Sequence, residues 1–140
     1  MGEIKALIDI NVLLDHLAMR EGFFQDAAAI FSMIHDGYLK GIVSSVSIVN
    51  CAYILPKHYD GNAVLEKIKG MLHMFTISHV DANILEEAAS LAPYDYEDAV
   101  QYLSALPYHP DLIITRDKKG FQNFDVLVLT PAEFVSKVKG

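Results

Sequence analysis

The sequence has very little cysteine and lacks tryptophan. Its single cysteine is Cys51. One cysteine excludes an intramolecular disulfide, which is typical of proteins made for a reducing compartment such as the bacterial cytoplasm. No apolar run approaches the roughly 18 residues of a membrane helix, and the acidic start Met1-Gly2-Glu3 lacks the basic region of a signal peptide. We therefore expect a cytoplasmic protein with no membrane partner.

Basic residues are also scarce, with 11 Lys and Arg against 18 Asp and Glu and a net charge of −7. The overall field of such a chain repels phosphates, so any contact with nucleic acid must be local. The 140 residues are 52% hydrophobic, and no Pro/Gly/Ser-rich linker, low-complexity tract or repeat divides them. We expect one domain over residues 1–140.

Predicted strands and helices alternate along the chain. Alternation of this kind predicts an α/β fold in which a mostly parallel sheet of four to five strands carries helices on both faces. Short apolar runs predict strands at 5–9, 41–44, 75–77, 111–115 and 126–129. Helical patterns cover 11–20, 24–35, a segment through Ile48 that Pro56 ends, 62–74, a segment capped by Asp81, 95 to about 106, and a helix that starts at the capping box Thr130-Pro131-Ala132-Glu133.

Acidic residues follow the predicted strands. Asp9 ends the first strand, Asp117 follows the 111–115 strand, and Asp98 lies in the first turn of a helix that Asp95 is placed to cap. Ligands of parallel sheets bind beyond the carboxyl ends of the strands, so these acids can reach one crevice. Converging carboxylates repel one another unless a cation neutralises them. Hard oxygen donors favour Mg²⁺ or Mn²⁺ over Zn²⁺.

Four segments together resemble the PIN-domain family. They are Asp9-Ile10-Asn11-Val12-Leu13-Leu14-Asp15, Asp95-Tyr96-Glu97-Asp98-Ala99, Ile114-Thr115-Arg116-Asp117 and Val128-Leu129-Thr130-Pro131. The small size is similar to that of VapC-like toxins. The resemblance implies an endoribonuclease that uses Mg²⁺ or Mn²⁺ to hydrolyse RNA, is commonly a homodimer, and as a toxin is inhibited by an antitoxin protein.

The resemblance also implies roles for individual residues. Asp9, Asp98 and Asp117 take the places of the catalytic acids that bind metal. Supporting or substrate-binding roles fall to Asn11, Asn50 and Thr115. Independently of the resemblance, Arg116 forms a basic cluster with Lys118 and Lys119 beside the site. This cluster either holds RNA phosphates, which gives Arg116 a substrate-binding role, or is a solvated loop.

The sequence departs from the family pattern at two positions. Asn50 stands where the family usually has Glu, which removes one negative charge while keeping a neutral oxygen. Gly120 stands where many relatives have an acid. Asn50 and the net charge of −7 motivate a second hypothesis, a PIN-fold binding module with weak or no nuclease activity. A receiver or phosphatase-type domain is disfavoured because the first strand lacks the second Asp that such phosphatases use.

Structural roles remain open for each of these polar residues. Asp9 can cap the helix that follows it, Asp98 can be a capping partner of Asp95, and Asp117 can be a turn residue. Asn50 is either a site residue or a buried amide bonded to the backbone. We assign no chemistry to the six histidines or to Cys51.

Overall fold

A computed structural model describes residues 3–91 and 95–139, and five parallel strands in this part of the chain form one sheet. The predicted domain limits 1–140 therefore include positions outside the described residues. The strands are β1 (Ile4–Ile8), β2 (Leu39–Ser44), β3 (Thr76–Ser78), β4 (Leu112–Ile114) and β5 (Leu127–Leu129). Around them lie α1 (Ile10–Leu17), α2 (Phe24–His35), α3 (Ser45–Ile54), α4 (Gly61–Met74), α5 (Ala82–Ala89), α6 (Tyr96–Ala105) and α7 (Pro131–Lys139).

The sheet order is β3-β2-β1-β4-β5, which places β1 in the centre. Side chains of β1 alternate between two cores: Ala6 and Ile8 join the larger cluster, while Leu7 joins a second cluster that contains Ala105 of α6. Helices therefore pack on both faces, and the predicted α/β fold is confirmed. Because every strand pair is parallel, all carboxyl ends meet at one edge of the sheet.

Side-chain hydrogen bonds cap the N-termini of helices α5, α6 and α7. Asp81 accepts a hydrogen bond from the backbone N–H of Ile84 (2.9 Å), and Asp95 accepts one from that of Asp98 (3.0 Å). Thr130 and Glu133 exchange the two bonds of a capping box. These three predicted helix starts are confirmed. Within the described ranges, no helix is long and apolar enough to cross a membrane.

Candidate functional site

Asp9 lies at the carboxyl end of the central strand. The strand ends at Ile8 and the helix begins at Ile10, so Asp9 occupies the N-cap position. Its side chain nevertheless makes no capping hydrogen bond. Asp9 is instead 4% exposed, and its two carboxyl oxygens accept hydrogen bonds from Gln101 Nε2 (3.0 Å) and Thr115 Oγ1 (2.7 Å). The fold therefore turns Asp9 into the crevice rather than onto the helix it precedes.

Burial raises the pKa of Asp9, because the charged form loses water. Hydrogen bonds from Gln101 and Thr115 oppose this rise, as does the polar backbone N–H of the adjacent Ile10, and the nearby charge of Asp117 adds to it. The protein thus holds a carboxyl group out of water and supplies it with donors that favour its ionised form. Such an environment suits a carboxylate that has a cationic partner.

Asp117 follows β4 and is connected to Asp9 by hydrogen bonds of the Thr115 hydroxyl. The buried Thr115 hydroxyl that donates to Asp9 also accepts a hydrogen bond from the Asp117 backbone N–H (3.1 Å). The Asp117 side chain caps a short 3₁₀ turn, accepting from the backbone N–H of Lys119 (3.2 Å). The turn role left open for Asp117 is therefore present, and its charge also contributes to the electrostatics of Asp9 and Asp98.

Asp98 is half-buried in the first turn of α6. Burial, followed by the charges of Asp9, Asp95, Glu97 and Asp117, raises the pKa of Asp98 to about 7. Four negative neighbours show that the crevice concentrates acidic groups.

The Asp98 carboxyl group lies against Gly120. A Cβ atom built on Gly120 would overlap Asp98 Oδ2. The backbone of the turn after Asp117 therefore approaches the Asp98 side chain closely, and a residue with a side chain at position 120 would displace that carboxyl group. Glycine at position 120 therefore leaves room for the Asp98 carboxyl group.

Asn50 on α3 faces α6. Its Nδ2 atom donates a hydrogen bond to Glu97 Oε2 at 2.8 Å, and both side chains are partly buried. Burial is the main cause that raises the pKa of Glu97, followed by the charges of Asp9 and Asp95, while the Asn50 bond lowers it. The bond links Asn50 to a side chain of the crevice. Glu97 is an acid that the sequence reading did not include in the site.

Gln101 is the second residue that the sequence reading missed. It is fully buried, and its Oε1 accepts a hydrogen bond from the Ser47 hydroxyl (3.2 Å) while its Nε2 donates to Asp9. The bond from Ser47 fixes which end of the amide faces Asp9. The available signal was spacing, since Gln101 follows Asp98 by three residues and Glu97 by four, the separations that share one face of a helix.

Arg116 points away from the acidic crevice. Its Nε and Nη2 atoms bond the two carboxyl oxygens of buried Asp15 at 2.6 and 3.2 Å, and its guanidinium lies 4.1 Å above the ring of Phe23. The backbone N–H of Arg116 donates to Asn11 Oδ1 at 3.4 Å. A substrate role for Arg116 stays a prediction, and it would have to compete with the pairing to Asp15.

The carboxylates of the crevice have the donor chemistry that Mg²⁺ and Mn²⁺ prefer. Asp9, Asp98 and Asp117 are close enough for their charges to affect one another. As the side chains lie, however, residues 3–91 and 95–139 contain no group of three or more Asp, Glu, His or Cys placed to hold a metal ion. The donor chemistry of these carboxylates fits such a cation.

Comparisons with known proteins agree with this architecture. A family model described as a PIN domain matches residues 5–119. No curated protein sequence matches the chain significantly. Similar solved structures include a toxin-antitoxin complex from Klebsiella pneumoniae, with 21% identity, coverage of 90% of this chain and 97% of that one, and a TM-score of 0.67.

Two further structures have the same TM-score of 0.67. DNA-bound VapBC from Salmonella typhimurium is 15% identical, with coverage of 91% of this chain and 98% of that one. VapC20 from Mycobacterium tuberculosis, described as a toxin that cleaves the sarcin-ricin loop, is 11% identical, with coverage of 85% and 95%. At these identities the likeness shows a shared fold.

Proposed function

The chain belongs to the PIN-domain family, and from this premise we propose that it is a divalent-metal-dependent endoribonuclease that acts as the toxin of a toxin-antitoxin pair. Its substrate is RNA, its cofactor is Mg²⁺ or Mn²⁺, and its protein partners are an antitoxin and a second copy of the chain. It works in the cytoplasm. Toxin-antitoxin complexes among proteins of the same fold support the antitoxin partner.

One observation carries the proposal: a buried carboxylate at the centre of the sheet edge is surrounded by further acids. Asp9 is held by Gln101 and Thr115, and the charges of Asp98 and Asp117 lie around it. A fold gains no stability from gathering unpaired acids, so such a cluster indicates a binding function. We assign Asp9, Asp98 and Asp117 as the side chains that hold the metal.

A bound Mg²⁺ or Mn²⁺ would neutralise charge on the scissile phosphate and lower the pKa of water. The protein's own contribution is the placement of its carboxylates. Thr115 and Gln101 fix the Asp9 carboxyl group before anything binds, and Thr115 also positions the backbone of Asp117. Asn11 supports the Arg116 backbone at the same edge. Preorganisation of this kind avoids reordering during the reaction.

The test is cleavage of a fluorescent single-stranded RNA by protein stripped of metal and then supplied with Mn²⁺. We expect cleavage that EDTA stops and that Asp9→Asn abolishes, while Glu86→Gln on α5 cleaves like wild type. A DNA strand of the same sequence measures the preference for RNA. Induced expression in bacteria should arrest growth with the wild type and not with Asp9→Asn. Cleavage that Asp9→Asn leaves unchanged would refute the proposed site.

A second candidate function is a PIN-fold binding module with little or no catalysis. The observation that favours it is that no three potential metal ligands stand together among the described residues. In that case the metal-free protein would bind RNA or a protein partner, and added Mn²⁺ would change neither binding nor the length of the RNA.

A further inference from the structure

Glu97 is an acid of the crevice to which no role has yet been given. It lies one residue before Asp98 on α6, is partly buried, and is close enough to Asp9 for the two charges to interact. Consecutive helical residues point about 100° apart, so Glu97 and Asp98 approach the crevice from different directions. The Glu97 carboxyl group accepts a hydrogen bond from Asn50 of α3.

The bond between Asn50 and Glu97 orders the Glu97 side chain. The Asn50 amide donates to Oε2 at 2.8 Å, and no hydrogen bond to Oε1 is present among the described residues. A carboxylate held by one oxygen has the other available for a ligand. Other acids of the crevice accept different donors: Gln101 and Thr115 serve Asp9, and a backbone N–H serves Asp117.

We propose that Glu97 supplies the fourth carboxylate of the metal site and that Asn50 is the positioning residue that holds it there. The inference rests on the proposed function and deepens it. The negative charge that position 50 lacks is then supplied by Glu97 on α6, and the neutral Asn50 amide on α3 donates a hydrogen bond to it. A carboxylate at position 50 would instead stand at hydrogen-bonding distance from Glu97 and repel it.

The experiment is calorimetric titration of Mn²⁺ into metal-free wild type, Glu97→Gln, Asp9→Asn and Glu86→Gln. Glutamine keeps the size of Glu97 and can still bond Asn50, so the variant should fold, which circular dichroism checks. Glu86→Gln is the matched control, because it makes the same chemical change on α5 at a charge that affects none of the crevice acids. We expect Glu97→Gln to raise the Kd for Mn²⁺ at least about 10-fold and Glu86→Gln to leave it within about 2-fold.

Asn50 is tested through its dependence on Glu97. Asn50→Ala keeps every carboxylate and removes only the donor, so it should weaken Mn²⁺ binding less than Glu97→Gln does. In a Glu97→Gln background, Asn50→Ala should cause no further loss, because the residue acts through the carboxylate that is already gone. A purely structural role would give independent losses and a lower melting temperature. Asn50→Glu combined with Glu97→Gln should bind Mn²⁺ more tightly than Glu97→Gln alone.

The Mn²⁺ titrations of these variants distinguish the role of Glu97 from the proposed nuclease function. Mn²⁺ binding that Asp9→Asn abolishes and Glu97→Gln leaves at the wild-type Kd would overturn the role of Glu97 while leaving the nuclease site intact. Wild type that binds no Mn²⁺ and cleaves no RNA would overturn both. Equal weakening by Glu97→Gln and Glu86→Gln would show a general charge effect and would also overturn the role of Glu97.

Discussion

The Asp98 carboxylate should lower the free energy of unfolding of the metal-free protein at neutral pH. Its pKa rises from 3.8 to about 7 on folding, chiefly because the carboxyl group is buried and then because other acids surround it. The folded state therefore holds the proton more tightly than the unfolded state between about pH 4 and pH 7. Stability falls as pH rises through this window, since the unfolded chain ionises first. Asp98→Asn removes this loss, because asparagine is neutral throughout.

The size of the effect follows from the shift. An unscreened change from 3.8 to about 7 corresponds to about 4 kcal/mol. Water reaches the half-buried Asp98, so we expect about 1 to 2 kcal/mol of stabilisation by Asp98→Asn at pH 8. For a chain of this size that is a rise of about 3 to 6 °C in melting temperature. At pH 4 the two proteins should differ little.

Urea and thermal unfolding in EDTA, at pH 4 and pH 8, would measure this directly. Glu86→Gln is the control for loss of one negative charge, and it should show no such pH-dependent gain. Excess Mn²⁺ should stabilise the wild type at pH 8 by binding the folded state and should stabilise Asp98→Asn far less. An Asp98→Asn variant that is no more stable than wild type at pH 8 would refute the electrostatic reasoning.

Three other substitutions have defined outcomes. Gln101→Leu removes the amide donor of Asp9 from a buried site and should lower the free energy of unfolding by about 1 to 3 kcal/mol, measured in urea; unchanged stability would contradict this. Arg116→Met leaves Asp15 buried without its main partner and should cost about 2 to 4 kcal/mol; a variant that keeps its stability and only binds RNA more weakly would instead support a substrate role. Gly120→Asp should displace the carboxyl group that lies over this glycine and lower stability by about 1 kcal/mol or more at pH 8, with a smaller loss at pH 4 in the same titration.

The fold could be predicted because its signals are local. Alternating apolar runs and helical periodicity predicted the five strands and seven α-helices of the described residues, and the caps at Asp81, Asp95 and Thr130 mark helix starts through bonds to residues three positions away. The sequence pattern ended the first strand at Asp9, whereas β1 ends at Ile8. The difference arises because Asp9 is the N-cap of α1.

The partners of the site residues were harder to predict because they depend on how distant elements pack. Asn50 and Glu97 are 47 residues apart, so their bond depends on the rotation of α6 against α3. Gln101 reaches Asp9 across 92 residues. Sequence spacing placed the acids at one edge of the sheet, whereas it could not show that Arg116 would turn to Asp15, 101 residues away.

Metal binding and RNA cleavage measured on the same samples would decide the function. Mn²⁺ is titrated by calorimetry into wild type and Asp98→Asn, and each sample is then assayed with RNA. We predict saturable binding and Mn²⁺-dependent cleavage by the wild type, with both lost in Asp98→Asn despite its greater stability at pH 8. Cleavage by Asp98→Asn at the wild-type rate, or wild type that neither binds Mn²⁺ nor cuts RNA, would contradict a nuclease centre built on these carboxylates.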